Sequence, residues 1–352
     1  MILQSGSVAA SAGLPMETTV VVDDGAHNGF PDMVFWKGQF YLVYVSSPSH
    51  FASSKSRLVL LRSDDTQHWD EIRQFDGGGQ DIRDPKFGLI GGRLFLYALL
   101  NRSFDPEPYC TVAASSADGL EWSALQPLAL GLWLLGRPIA GCDATWYAPA
   151  HRLDSGSAVL LQSSEGLDWS IRGSIFDGAA ESPDHADETA ITLLDDGRML
   201  AVSRLESGGS LFGSLRAATL ISVAAPPFVS WKVQGKSSLT RLDGPSLFTV
   251  GGRIFALGRR QTRISPPFEQ QGSAFGKKRS ALFQVDAENG ELAFTSDLPS
   301  SGDTSYAAAV VKDGKAFIAY YTSDPRRDRP WVLAMLEPTR IQICQIALSA
   351  VP

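Results

Sequence analysis

Five stretches of this chain repeat one plan: a short polar lead, an apolar run, a glycine turn and a second apolar run. They are GFPDMVFWKGQFYLVY (29–44), RDPKFGLIGGRLFLYAL (83–99), DETAITLLDDGRMLAVSR (187–204), DGPSLFTVGGRIFALGR (243–259) and TSYAAAVVKDGKAFIAYY (304–321). Each reads as a β-hairpin, with Lys-Gly, Gly-Gly or Asp-Gly supplying the positive φ of a tight turn. A divergent sixth copy is read at GCDATWYAPAHRLDSGSAVLLQ (141–162). Starts near 30, 84, 143, 188, 244 and 304 lie about 45 to 60 residues apart, the length of a four-stranded sheet with its loops. The pattern predicts an all-β fold, a six-bladed β-propeller of four-stranded antiparallel blades, as one domain over residues 1–352. Residues 1–20 are expected to form a flexible or closing N-terminal segment.

A second repeat falls between these copies: SDDTQHW (63–69), SSADGLEW (115–122) and SSEGLDW (163–169). Serine and acid side chains bond the backbone of such a turn, while the tryptophan packs between neighbouring sheets. The three turns resemble the Asp-box of the sialidase superfamily in its Ser-x-Asp-Gly-x-x-Trp form, with Glu165 and Thr66 as departures. The Asp-box is structural and occurs in many propellers that are not sialidases, so it implies a fold more than an activity.

Composition removes several function classes. A net charge of -7 excludes a general phosphate-backbone binder, so no nucleic-acid partner is expected. No apolar run reaches the roughly 18 residues of a membrane span, and none is expected. Residues 1–20 lack the basic and apolar regions of a secretory signal, which favours the cytoplasm. Cys110, Cys142 and Cys344 have no metal-ligand spacing and read as buried thiols, so no metal or cofactor is expected.

In a propeller the innermost strands converge on the axis, and the residues at their leading ends line a central pocket. Those residues are Asn28 and Asp32, Arg83 and Asp84, Asp143, Asp187 and Glu188, Arg241 and Asp243, and Asp303 and Tyr306. An aspartate just before a strand is commonly an Asx turn satisfying local donors. An acid or amide at this place in every blade points instead to a shared volume, where like charges must be offset by substrate, cation or arginine.

Two of the hairpins resemble sialidase segments more specifically. The stretch 187–204 is similar to the one carrying a glutamate and an arginine, which implies Glu188 as base and Arg204 as a carboxylate ligand. The stretch 303–321 is similar to the one carrying the tyrosine nucleophile, which implies Tyr306. A phenol with a pKa of about 10 becomes a nucleophile when a carboxylate takes its proton, and a neutral nucleophile suits an anionic sugar. Gly29 stands where the family has its first arginine, in Arg-Ile-Pro. The third arginine maps to Arg279, with Arg259 or Arg260 next, and His50 is the candidate acid. The resemblance implies an exo-acting glycoside hydrolase for an acidic or modified sugar; Arg83, Asn28, Asp143, Asp243 and Asp303, from their places at the strand starts, and Trp146, as a stacking ring, are further candidate sugar contacts.

Other readings stay open. RDPKF (83–87) is similar to the Arg-Asp-Pro motif of five-bladed glycosidases acting on fructans, arabinans and xylans, which implies carboxylate roles for Asp32, Asp84 and Glu188. A uronate polysaccharide lyase and a non-catalytic glycan-binding propeller also fit the fold. Trp36, Trp133, Tyr147 and Trp331 are stacking or inter-blade residues, His27 and His185 lie near blade ends, and 259–279 is a basic loop placed to overhang the pocket.

Overall fold

The computed structural model describes residues 14–351 apart from 103, 105, 106, 182, 209, 210 and 263–269. Six antiparallel sheets follow one another along the chain as the blades of a propeller. Their inner strands are His27–Trp36, Asp81–Ile90, the broken pair Leu134–Leu135 and Ile139–Ala140, Asp184–Leu193, Asp243–Val250 and Thr304–Lys312. Met16–Val22 pairs antiparallel with Arg340–Ala347 and becomes the outer strand of blade 6, so the two ends of the chain share one sheet. Residues 1–13, the first part of the expected N-terminal segment, and 263–269, the middle of the expected overhanging loop, lie outside the described residues.

Both faces of a blade are buried, which explains strands that are apolar at consecutive positions. Along Phe40–Val45, Tyr41, Val43 and Val45 pack with Phe87, Leu96 and Trp122 of blade 2, whereas Phe40, Leu42 and Tyr44 pack with Ala319, Ile341 and Ile343 of blade 6. This is the two-residue period of a strand used against two partners. Six such clusters are found, one between each pair of neighbouring blades.

The three Trp-closed turns join the last two strands of blades 1, 2 and 3 with one hydrogen-bond pattern. In blade 2 the Ser116 hydroxyl accepts from Gly119 N (2.7 Å), Asp118 accepts from the amides of Leu120 and Glu121 (2.9 Å each), and Trp122 Nε1 donates to Gly119 O (3.1 Å). Glu165 takes the same two amides in blade 3, from Leu167 and Asp168. The glycine position has positive φ in all three, +83° at Gly119, +91° at Gly166 and +65° at Thr66. Each turn docks on the preceding blade: Tyr97 of blade 2 donates its hydroxyl to Gly166 O at 2.7 Å.

Blade 3 corrects the sequence reading. Its inner strand is Leu134–Ala140, interrupted at 136–138, and Trp146–Arg152 is its second strand. The hairpin read at 141–162 is therefore one strand too late. Asp143 lies in the turn between first and second strands, at the far end of the blade from the strand starts, where it accepts from Thr145 N and Tyr147 OH (3.2 Å each). Trp146 begins the second strand at that same far end, with its Nε1 on Leu89 O at 2.9 Å.

Candidate active site

Every continuous inner strand but that of blade 3 carries a bulge near its start. The register shifts between Gly29 and Asp32, Arg83 and Lys86, Ala186 and Thr189, Asp243 and Ser246, and Ser305 and Ala308. A bulge breaks the in-out alternation and re-aims a side chain. At this level stand Phe30, Asp84, Glu188, Gly244 and Tyr306, with Arg137 in the break of blade 3. Phe30, Asp84 and Tyr306 hold φ of +54°, +50° and +45°, a region that costs non-glycine residues free energy and is kept where the surroundings enforce it.

Asp84, Arg137, Glu188, Gly244 and Tyr306 line an axial cavity of about 160 Å³, together with Asp32, Lys86 and His151. Phe30 lies beneath Tyr306, edge to face with ring centres 4.9 Å apart. A second cavity of about 340 Å³ is lined by Arg204, Glu206, Arg241, Leu211 and Trp331. Glu188 of the axial cavity and Arg204 of the second are hydrogen-bonded to each other, so this pair links the two linings.

The Tyr306 hydroxyl donates to Glu188 Oε1, and the other oxygen of Glu188 receives Arg204 Nη1 at 2.9 Å and Gly244 N at 3.4 Å. Burial, reinforced by the negative charge of Glu188 and Asp84, pushes the Tyr306 phenol well above its ordinary range. The phenol therefore keeps its proton until a base takes it. Asp84 differs from the other carboxyls of the axial cavity. Asp32 is held by Phe87 N (2.6 Å) and by Arg137, and Glu188 is held as described, whereas Asp84 Oδ1 is shut off from solvent with no hydrogen-bond partner among the described residues. Burial pushes the Asp84 carboxyl up to about 6, against the pull of Arg83 and Lys86.

Around this core lies a second layer of paired charges. Asp243 is pressed far below the usual carboxylate range: burial opposes this, but Arg241, Arg204 and Arg259 outweigh it. His151 Nε2 meets Asp187 at 3.0 Å; burial lowers the imidazole, yet Asp187 and its neighbours leave it raised. Asp303 is a buried hub that accepts from His27 Nε2 (2.8 Å), His50 Nδ1 (2.7 Å), Tyr321 OH (3.0 Å) and Trp331 Nε1 (2.8 Å). Among the described residues His27, His50 and Asp303 are the one group placed closely enough to ligate an ion. Both imidazoles already bond Asp303, and Arg259 Nη1, 3.6 Å from it, opposes a further cation.

The structure thus gathers Asp32, Asp84, Glu188, Arg204 and Tyr306 around the two cavities and moves other expected site residues away from them. Asn28 is buried, tied to Asp24 (2.7 Å) and to the Thr339 carbonyl (3.4 Å). Arg83 closes on Asp81 at 2.5 Å and lies over the Phe30 ring. His50 is buried against Asp303, and burial lowers its pKa. Arg279 pairs with Asp328 at 2.7 Å on a third strand, outside the lining of both cavities, and Arg260 binds Asp297. Arg241, which lines the second cavity, and Arg259 are each bound to Asp243.

Arg137 was not among the candidates, and its signal is a proline. Phe30-Pro31, Asp84-Pro85 and Gly244-Pro245 each put proline after the inward residue, and Arg137-Pro138 does the same in the blade whose hairpin was misplaced.

No family model matches the chain, and no curated protein matches it in sequence. Solved structures do. A protein of unknown function from Dyadobacter fermentans superposes with a TM-score of 0.68 at 16% identity over 96% of this chain and 99% of its own. A mutant Trypanosoma rangeli sialidase displaying trans-sialidase activity gives 0.67 at 13% identity, covering 97% of this chain and 60% of the sialidase. An α-L-arabinanase of Penicillium chrysogenum gives 0.58 at 14% identity, over 96% of this chain and all of the arabinanase. The chain has the sialidase-like propeller fold, and the neighbours named for an activity are glycoside hydrolases.

Proposed function

We propose that this protein is a glycoside hydrolase in which Tyr306 attacks the anomeric carbon and Glu188 is its base. The hydrogen bond from the Tyr306 hydroxyl to Glu188 Oε1 carries the reading. A phenol raised by burial attacks only if its proton leaves as the new bond forms, and the carboxylate that would take it is in contact. Asp84 is the acid of this scheme. A carboxyl pushed up to about 6 still holds its proton in weakly acidic solution, and it shares the axial cavity with Tyr306.

The sequence of events follows from these placements. Asp84 protonates the glycosidic oxygen, the bond from that oxygen to the anomeric carbon breaks, and Tyr306 bonds to that carbon as Glu188 takes the phenol proton. Water, giving its proton to Asp84, then displaces Tyr306, which regains its proton from Glu188. Configuration at the anomeric carbon is retained. The axial position of the cavity favours a chain end over a continuous chain, in keeping with exo action.

The Arg-Asp-Pro reading has one observation in its favour: Asp84 and Glu188 line the same cavity as a carboxyl pair. The two schemes share Asp84 and part at Tyr306. Steady-state kinetics on 4-methylumbelliferyl glycosides separate them. Tyr306→Phe is expected to lower kcat about 1000-fold or more, and Glu188→Gln about 100-fold or more. Full turnover in Tyr306→Phe together with an inactive Glu188→Gln would favour the carboxyl pair.

A further inference from the structure

Arg204, Arg241 and Arg259 each face protein carboxylates, and none presents two free N–H groups side by side: only Arg204 Nε and Arg259 Nη1 are buried without a hydrogen-bond partner among the described residues, one on each guanidinium. Arg204 gives Nη1 to Glu188 (2.9 Å) and Nη2 to Glu206, and its Nε lies 3.4 Å from Asp243. Arg241 gives Nε (2.6 Å) and Nη2 (3.0 Å) to Asp243, with Nη1 3.3 Å from Glu206. Arg259 places Nε and Nη2 3.1 Å from Asp243, and Nη1 3.6 Å from Asp303. Four carboxylates surround three guanidinium groups. In the axial cavity Arg137 is likewise occupied, by Asp32 and by the Met33 carbonyl at 3.0 Å.

An arginine reads an anionic ligand through two parallel N–H groups that nothing else engages. Seating a substrate carboxylate here would require opening one of these pairs and leaving a buried protein carboxylate uncompensated, a penalty of about 100-fold or more in affinity. Position 29 offers glycine. Lys86 is the one cation of the axial cavity that contacts no carboxylate among the described residues; it lies 5.6 Å from the Tyr306 ring centre. One ammonium lacks the planar fork.

We propose that the sugar held in the axial cavity is uncharged, a neutral glycoside with hydroxyls and no carboxylate, phosphate or sulfate. This rests on the hydrolase reading above and replaces the acidic sugar expected from the sequence. The carboxylate-paired arginines then act as scaffolding that fixes Glu188 and Asp243, and the sugar hydroxyls meet Asp84, Glu188 and Lys86 in the axial cavity.

Two assays with separate readouts test it. Purified full-length protein is assayed on matched 4-methylumbelliferyl glycosides, neutral (α-L-arabinofuranoside, β-xyloside, β-galactoside) and anionic (α-sialoside, β-glucuronide). The Tyr306→Phe variant is applied to an array of neutral and acid-terminated glycans. The expected result is a kcat/KM for the best neutral glycoside at least about 100-fold above either anionic one, with retention on neutral termini. Glu206→Gln, which removes one counter-charge from Arg204 and Arg241, should narrow that gap about tenfold. A sialoside or glucuronide cleaved best would overturn the neutral-sugar proposal and leave the hydrolase standing. Neutral glycans retained on the array with no cleavage in any wild-type reaction would overturn the hydrolase and leave the neutral preference. No cleavage and no retention would overturn both.

Discussion

Replacing Asp84 by asparagine should make the protein more stable at neutral pH while removing its activity. The Asp84 carboxyl is pushed from 3.8 up to about 6 by burial. Its folded state therefore binds the proton more tightly than the unfolded chain does. Below about pH 4 both states are protonated and the group contributes nothing. As pH rises from about 4 to about 6 the unfolded chain loses the proton first, so wild-type stability falls; above that window the loss is complete. Two pH units at 1.36 kcal/mol each put the loss at about 3 kcal/mol. Asparagine has no charge to desolvate and tolerates the φ of +50° found here. Urea unfolding followed by tryptophan fluorescence should show the variant more stable by about 3 kcal/mol at pH 8, with the gap closed by pH 4. Turnover of an unactivated glycoside should drop about 100- to 10,000-fold with the acid gone. An Asx turn behaves in the opposite way, since its aspartate is stabilising as a charged acceptor. A variant less stable than wild type at pH 8, or a gap independent of pH, would refute the buried-acid reasoning.

Three further outcomes follow from packing. Thr66→Gly should stabilise the chain by about 1 kcal/mol in the same unfolding assay: Thr66 sits at φ +65° with a buried hydroxyl that has no partner, where the equivalent turns use glycine. Gly119→Ala should destabilise by about 2 kcal/mol or more, because the new Cβ would lie 2.2 Å from the Tyr41 hydroxyl at φ +83°. Arg137→Ala should cost about 2 kcal/mol in thermal unfolding, since it leaves Asp32, 2% exposed, with only the Phe87 amide.

The fold was legible because its cause is local. A strand buried on both faces writes an unbroken apolar run, and a tight hairpin writes glycine, so five blades stood out in the sequence. Blade 3 did not, because its inner strand breaks at 136–138 and its turn, Gly141 to Thr145, carries no Lys-Gly, Gly-Gly or Asp-Gly pair. That misplacement put Asp143 and Trp146 among the candidates and hid Arg137. Asp84, Glu188 and Tyr306 were singled out by their places at the hairpin starts and Arg204 through the resemblance of its segment, and the structure brings the four close together. What each arginine touches was not legible: Arg259 meets Asp303 across 44 positions of sequence, and Asp303 meets His27 from the opposite end of the chain. The first pairing joins consecutive blades 5 and 6, and the second joins blades 6 and 1 where the ring closes through Met16–Val22. Hence His50, isolated in sequence and suited to acid catalysis, is a buried partner of Asp303, and Arg279 lies on a third strand beside Asp328.

Trapping the intermediate tests the central claim most directly. The protein is incubated with a 2-deoxy-2-fluoro glycosyl fluoride of the sugar it cleaves, digested, and the peptides are read by tandem mass spectrometry. A glycosyl adduct on the Tyr306 oxygen, absent from Tyr306→Phe, is the predicted result. An adduct on Glu188, or turnover that inverts the anomeric carbon with no adduct, would contradict the account.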